Sequence, residues 1–190
     1  MVYVELRYPV IGATVPSDHG YAMFSAISRV IPEAHNADWL SLETGLVNSR
    51  ARLRIRVPQD RVPLILKLAG RRLGLSGHRV RLGAPQISLL RPSPSVYARC
   101  VTIKNRTEPE SFLDAVARKL DEMGVRGEPE IGPRRAFHIG KRLIVGFALK
   151  IHDLSDEGSI AIQERGMGKH RNIGCGFFVP VTGSRKMYAR

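Results

Sequence analysis

The sequence predicts an α+β protein made of two successive β-α-β-β-α-β halves. Three observations carry that reading. Apolar residues switch repeatedly between a period of two and a helical period. The same order of elements recurs on either side of a stiff, proline-rich segment. In a chain of 190 residues, 43% are hydrophobic, enough for packed cores and too many for a disordered chain.

The first element is a strand. Val2, Val4, Leu6, Tyr8 and Val10 alternate with Tyr3, Glu5 and Arg7, the pattern of a half-buried strand. Gly12 to Pro16 breaks it, and Asp18 is placed to N-cap a helix carrying Tyr21, Phe24, Ala26, Ile27 and Ile31. Pro32 ends that helix, and Leu46–Val47 reads as a short strand. "RARLRIRV" (50–57) alternates strictly, with Ala51, Leu53, Ile55 and Val57 on one face and Arg50, Arg52, Arg54 and Arg56 on the other. Asp60 opens a second helix through Leu73, turning Val62, Ile65, Leu66 and Ala69 inward. Strands are expected at 79–82 and 86–90, separated by Gly83 and Pro85.

"RPSPS" (91–95) is the linker candidate, dividing the chain into halves 1–91 and 96–190. The order then repeats. A strand is expected at 96–104, and a helix at 109–123 with Phe112, Leu113, Val116, Leu120 and Met123 at helical spacing. Weak strands near Glu130–Ile131 and 137–139 precede a strong one, "RLIVGFALKIH" (142–152). A short helix at 158–164 follows Ser155 or Asp156, and 177–181 closes as the last strand. This is the ferredoxin-like order of elements, twice.

The formal net charge is +13 and the pI about 10.5, carried mostly by arginine. That is the footprint of a nucleic-acid binder, and the guanidinium fork suits phosphate. No apolar segment is long enough to span a bilayer, and the N-terminus lacks a signal-peptide pattern, so a cytoplasmic protein with no membrane partner is expected. Cys100 and Cys175 sit among apolar residues, where inert buried thiols are expected. Two cysteines and six scattered histidines supply no metal-site spacing, so neither metal nor cofactor is expected.

"GMGKHRNIGCGFF" (166–178) holds two G-x-G pairs, Gly166/Gly168 and Gly174/Gly176, around Lys169, His170 and Arg171. A P-loop needs glycine where Gln163 stands and Ser or Thr where His170 stands; a dinucleotide fingerprint needs glycine at Arg171. The loop therefore suits phosphates outside a standard mononucleotide site, with its glycines letting a backbone approach and its basic cluster contacting phosphate. The four strand arginines, Arg50 to Arg56, form a second basic face, and Arg134 and Arg135 lie before a hairpin where they suit the base of an RNA stem. No RNP1 pattern is present, which argues against an ordinary RNA-recognition domain. His78, His138 and His152 lie in strand-like runs and read as structural.

"PSDHGYAMFSAISRVIPEAH" (16–35) and "GMGKHRNIGCGFFVP" (166–180) resemble the CRISPR-associated repeat-processing endoribonuclease family of the RAMP superfamily, in its compact myxobacterial-type form. The resemblance implies two tandem ferredoxin-like folds of RAMP type. It implies cleavage of precursor CRISPR RNA within the repeat, without metal, by attack of the ribose 2′-OH on the adjacent phosphate. The products carry a 2′,3′-cyclic phosphate and a 5′-OH. The partners implied are precursor and mature CRISPR RNA, with other CRISPR effector subunits. Family members place a catalytic histidine on or around the first helix, and both His35 in "EAHNADW" and His19 in "DHGY" fit. Tyr21 is a candidate for positioning the 2′-OH; Ser28 and Ser41 are lesser ones. A non-catalytic RNA-binding subunit of the same fold is the alternative, and a duplex-DNA-binding protein a further one.

Overall fold

The computed structural model describes residues 2–12, 19–44 and 52–181. Its first half holds β1 (Tyr3–Ile11), α1 (His19–Val30), β2 (Ser41–Thr44), β3 (Arg52–Pro58), α2 (Val62–Leu66), β4 (Arg72–Leu75), β5 (His78–Leu82) and β6 (Gln86–Leu89). Strands pair antiparallel in the order β6-β1-β3-β2, which is the ferredoxin-like order. β1 changes partner along its length. Val4 to Arg7 face β6, whereas Val10 and Ile11 face β5 of an added β4–β5 hairpin. Leu6, Tyr8, Met23, Ile27, Leu53 and Ile55 meet in one core, and the Tyr8 hydroxyl donates to the Ile65 carbonyl at 2.7 Å.

The second half holds β7 (Val96–Val101), α3 (Pro109–Met123), β8 (Glu128–Ile139), β9 (Arg142–His152), α4 (Asp156–Arg165) and β10 (Phe178–Pro180). Its sheet order, β10-β7-β9-β8, repeats that of the first half. Phe112, Val116, Phe147, Leu149, Ile162 and Phe178 build a separate core. Ser155 caps α4, its hydroxyl accepting from the Gly158 N–H at 3.1 Å. Gly124 closes α3 in the left-handed conformation. The two weak strands expected near 130 and 138 are one strand, β8, with a register shift between Ile131 and Arg134 at Gly132–Pro133. The segment 91–95 between the halves has no helix or strand, yet it is held: Gln163 Nε2 donates to the Arg91 carbonyl at 2.8 Å and the Ser93 N–H to Ser159 Oγ at 3.0 Å.

Two expectations are corrected here. The helix foreseen over 60–73 stops at Leu66. Gly70 adopts φ +76° and its N–H donates to the Leu82 carbonyl, so the chain leaves the helix to pair as β4. Ser76 and Gly77, both at positive φ, make the two-residue turn of that hairpin. The short strand at 46–47 lies outside the described residues, and β3 pairs instead with Ser41–Thr44.

The second correction concerns the arginine face. Alternation in β3 is as expected, but the face opposite the core is covered by the second half. Arg56 is 1% exposed. It donates to Glu5 Oε2 from Nε at 3.0 Å and from Nη2 at 2.9 Å, and its Nη1 reaches the carbonyls of Gln163 and Phe178. Arg54 and Arg7 bind the same carboxylate, at 2.9 and 2.6 Å. Phe177 lies under Arg56, 4.0 Å from ring centroid to guanidinium carbon. Of the four arginines, Arg52 is exposed and Arg50 lies outside the described residues.

Charge in this cluster is lopsided. Burial would push the Glu5 carboxyl up, but the Arg56 and Arg54 guanidiniums hold it below its ordinary value. Burial pulls Arg56 down to about 10, against the upward pull of Glu5 beside it and, more weakly, of Glu43. Both stay ionised at neutral pH. Three guanidiniums meet the one buried carboxylate of Glu5, and among the described residues Glu43 reaches only Arg54, at 3.6 Å.

Candidate nucleic-acid site

The glycine-rich stretch of the second half is docked on the first turn of α1. A Cβ at Gly20 would collide with the Ile173 carbonyl oxygen, so only glycine lets helix and loop meet this closely. His19 opens α1, and Tyr21, two residues on, is 53% exposed. His35 follows a 3-10 turn (Pro32–Ala34), with its N–H donating to the Pro32 carbonyl at 3.1 Å. Its exposed ring stacks on Phe24, with centroids 6.5 Å apart and planes 17° from parallel. Three residues later the Asp38 carbonyl accepts from the Arg171 guanidinium, which also binds the Arg165 carbonyl. One loop thus touches the turn that begins with His19 and the segment that follows His35. Arg171, expected to contact phosphate, spends both ends of its fork on these carbonyls. Of the lesser candidates, Ser28 has a buried hydroxyl without a partner among the described residues, and Ser41 is buried on β2.

The loop glycines serve the protein's own backbone first. Gly166, Gly168, Gly174 and Gly176 all take positive φ. At Gly168 a Cβ would strike the Thr102 carbonyl oxygen, and at Gly176 that of Met167. A Cβ at Gly166 would sit 2.7 Å from the Gly176 carbonyl oxygen; only Gly174 faces open space, with Leu42 O at 3.9 Å. The Lys169 N–H donates to Thr102 O at 2.8 Å and the Gly176 N–H to Cys100 O at 2.7 Å, stitching the loop to β7. The close-approaching backbone foreseen as RNA is therefore β7 and the loop itself at three of the four glycines. Gly176→Ala is expected to cost about 2 kcal/mol or more, from left-handed strain plus the carbonyl clash, read as a lowered urea midpoint.

His170 is oriented by a residue the sequence did not flag. Thr102 Oγ1 donates its one proton to the Lys169 carbonyl at 2.9 Å and lies 3.1 Å from His170 Nδ1. With that proton committed, Nδ1–H must be the donor to Oγ1. Nε2 then keeps its lone pair. Burial, helped by the charges of Lys169 and Arg142, lowers the His170 pKa below its ordinary value, which favours the neutral ring. Phe137 meets it edge-on at 6.5 Å. A neutral imidazole held in one tautomer is a proton acceptor of fixed direction. Cys100 and Cys175 are buried; hydrogen bonding between them, then burial, pushes the Cys175 thiol up.

A family model described as Cas6 Crispr matches residues 4–183. The chain belongs to the Cas6 family. A curated relative, the CRISPR-associated endonuclease Cas6 of Myxococcus xanthus (strain DK1622), is 40% identical over 189 residues, spanning 95% of this chain and 82% of the relative. Among solved structures, a Cas6-related protein from Pyrococcus furiosus superposes with a TM-score of 0.68 at 10% identity, over 95% of this chain and 98% of that one. Thermus thermophilus Cse3, bound to an RNA representing a pre-cleavage complex, gives 0.60 at 14% identity, over 94% and 98%. At such identities these two speak to the fold, which is the tandem ferredoxin-like fold of Cas6 proteins.

In this Cas6 chain the remaining candidates lie apart from α1 in sequence. Arg134 and Arg135 are exposed on β8, just past its bulge, opposite Phe147 and Gly146. Lys169 is exposed beside His170. A cleft of about 660 Å³ opens between the halves beside the loop, lined by Trp39, Asp60, Arg61, Lys119, Arg165 and Arg171 among others. Arg61 stacks over Trp39 at 5.4 Å. Among the described residues no three His, Cys, Asp or Glu side chains gather to hold a metal ion, and no helix is long and apolar enough to cross a membrane.

Proposed function

We propose that this chain cuts precursor CRISPR RNA within the repeat, in the cytoplasm, and that the cut needs no metal. The observation that carries the reading is its 40% identity, over 95% of its length, to a relative named as a CRISPR-associated endonuclease. In the proposed reaction the ribose 2′-OH loses its proton and attacks the adjacent phosphorus. The leaving 5′ oxygen takes up a proton, giving a 2′,3′-cyclic phosphate and a 5′-OH. The nucleophile belongs to the substrate, so the protein has to hold an in-line geometry, move protons and stabilise charge. A histidine suits the proton transfers. His35 leads for that role and His19 stands second, with Tyr21 positioning the 2′-OH. Lys169, His170, Arg52, Arg134 and Arg135 contact RNA, and the mature RNA passes to other CRISPR effector subunits.

The test is cleavage of repeat RNA from the neighbouring CRISPR array in EDTA, with and without a 2′-deoxy substitution at the cut. Cleavage in EDTA that stops on 2′-deoxy substitution is expected. Cleavage only with added Mg²⁺ overturns the metal-independent route. Tight binding with no cleavage under either condition identifies a non-catalytic RNA-binding subunit.

A further inference from the structure

We infer that the outer face of the β4–β5 hairpin is a docking surface for the phosphodiester backbone of the RNA. The inference rests on the RNA-cutting reading above and adds a binding surface to it. The hairpin is a rigid platform. Leu73, Leu75, Val80 and Leu82 turn inward and are buried in the core with Met23 and Ile27 of α1. The alternate residues Arg72, Gly74, Arg79 and Arg81 face outward and are exposed. Register sets Arg72 directly opposite Arg81, and Arg79 opposite Gly74, which has open space beside it.

Like charges directly opposite on one face of a sheet destabilise it. Nothing local offsets this. The run from Lys67 to Leu82 contains no Asp or Glu. Among the described residues no carboxylate pairs with Arg72, Arg79 or Arg81, whereas Arg7, Arg54 and Arg56 share Glu5. The exposed arginine face of the first half is therefore this hairpin, not β3. Arg79 and Arg81 stand two residues apart on one strand, about 6.6 Å, comparable to the step between successive phosphates of an extended strand. Arginine forks grip phosphate two oxygens at a time.

Position supports the assignment. A Cβ at Gly12 would lie 2.9 Å from the Arg79 carbonyl oxygen, so β5 flanks the end of β1, from which the chain leads to His19. β4 packs on α1, whose first turn carries the glycine loop. The hairpin thus carries α1 on its inner face and the three arginines on its outer one, at the edge of the sheet that flanks the end of β1.

The experiment is a filter-binding titration of uncleavable 2′-deoxy repeat RNA at several salt concentrations, with wild type and the Arg72→Gln/Arg79→Gln/Arg81→Gln variant. Each lost phosphate contact is expected to lower the slope of log K against log salt by about 0.7, and affinity at low salt to fall about tenfold or more. Thermal stability should be equal or higher, because the opposed charges are gone. The single variant Arg79→Gln, opposite a glycine, gives a one-contact change in slope if the triple variant folds poorly. A wild type that cuts the repeat beside variants with unchanged slope overturns the hairpin assignment and leaves the RNA-cutting reading standing. A wild type that neither binds nor cuts the repeat RNA overturns both.

Discussion

Replacing His35 with alanine is expected to slow single-turnover cleavage of repeat RNA by roughly 10²–10⁴, the usual cost of losing a general acid or base. RNA affinity and fold should change little, because the ring is exposed and its one described ring contact is the stack on Phe24. His19→Ala is the comparison. Its α-carbon begins the helix turn that Ile173 of the glycine loop rests upon. A His35 variant that cuts at the wild-type rate beside a slow His19 variant transfers the proton-transfer role to His19. Two fast variants remove that role from the first-helix region, and His170, held by Thr102, becomes the leading proton acceptor.

Arg56→Ala carries the largest expected loss of stability, about 3–5 kcal/mol, the range for removing one partner of a buried ion pair. The guanidinium is the first half's bond to the Gln163 and Phe178 carbonyls of the second. Its removal also withdraws the nearest buried charge from Glu5. Pairing Arg56→Met with Glu5→Gln should recover much of the loss, because no uncompensated charge is then buried. The pH dependence follows from the lowered Glu5 carboxyl. A carboxyl whose folded pKa lies below its unfolded one contributes stability above the unfolded pKa of about 4.5, and that stability is lost as pH falls through the folded value. The deficit of Arg56→Ala relative to wild type should therefore hold from about pH 7 down to about 4.5 and shrink as pH falls further, through the folded Glu5 value, in urea unfolding at each pH. A deficit that stays constant there too assigns the effect to lost packing on Phe177 instead.

The second half was almost fully legible because its periodic runs are long. Phe112 to Met123 carries one face of α3, and "RLIVGFALKIH" is β9 without change. In the first half, the apolar residues of 60–73 fit a helix only until Gly70, and Leu73 and Leu75 already alternate in step with Val80 and Leu82. The Ser76–Gly77 pair between those runs was the local signal for the hairpin. Burial of the β3 arginines was harder to see. Alternation tells one face from the other, but not whether the far face meets water or another sheet. Glu5, the lone acidic residue on that face of β1, was the clue. The site itself depends on pairings far apart in sequence: Gly20 with Ile173, Asp38 with Arg171, Thr102 with His170. No local pattern encodes those. Composition and the glycine run pointed to phosphate chemistry, while what the glycines themselves touch is mostly the protein.

The seating of Ile173 on Gly20 also sets when the site comes into being during synthesis. The ribosome releases α1 before the whole of the second half, and the loop only after α4. The first half has its own core and can gather while the second is still being made, but its helix start then lacks the loop. Arg171 reaches the Asp38 carbonyl only once the 133 further residues up to it have been made. A chain stopped short of residue 166 keeps both candidate histidines and has nothing to set against them.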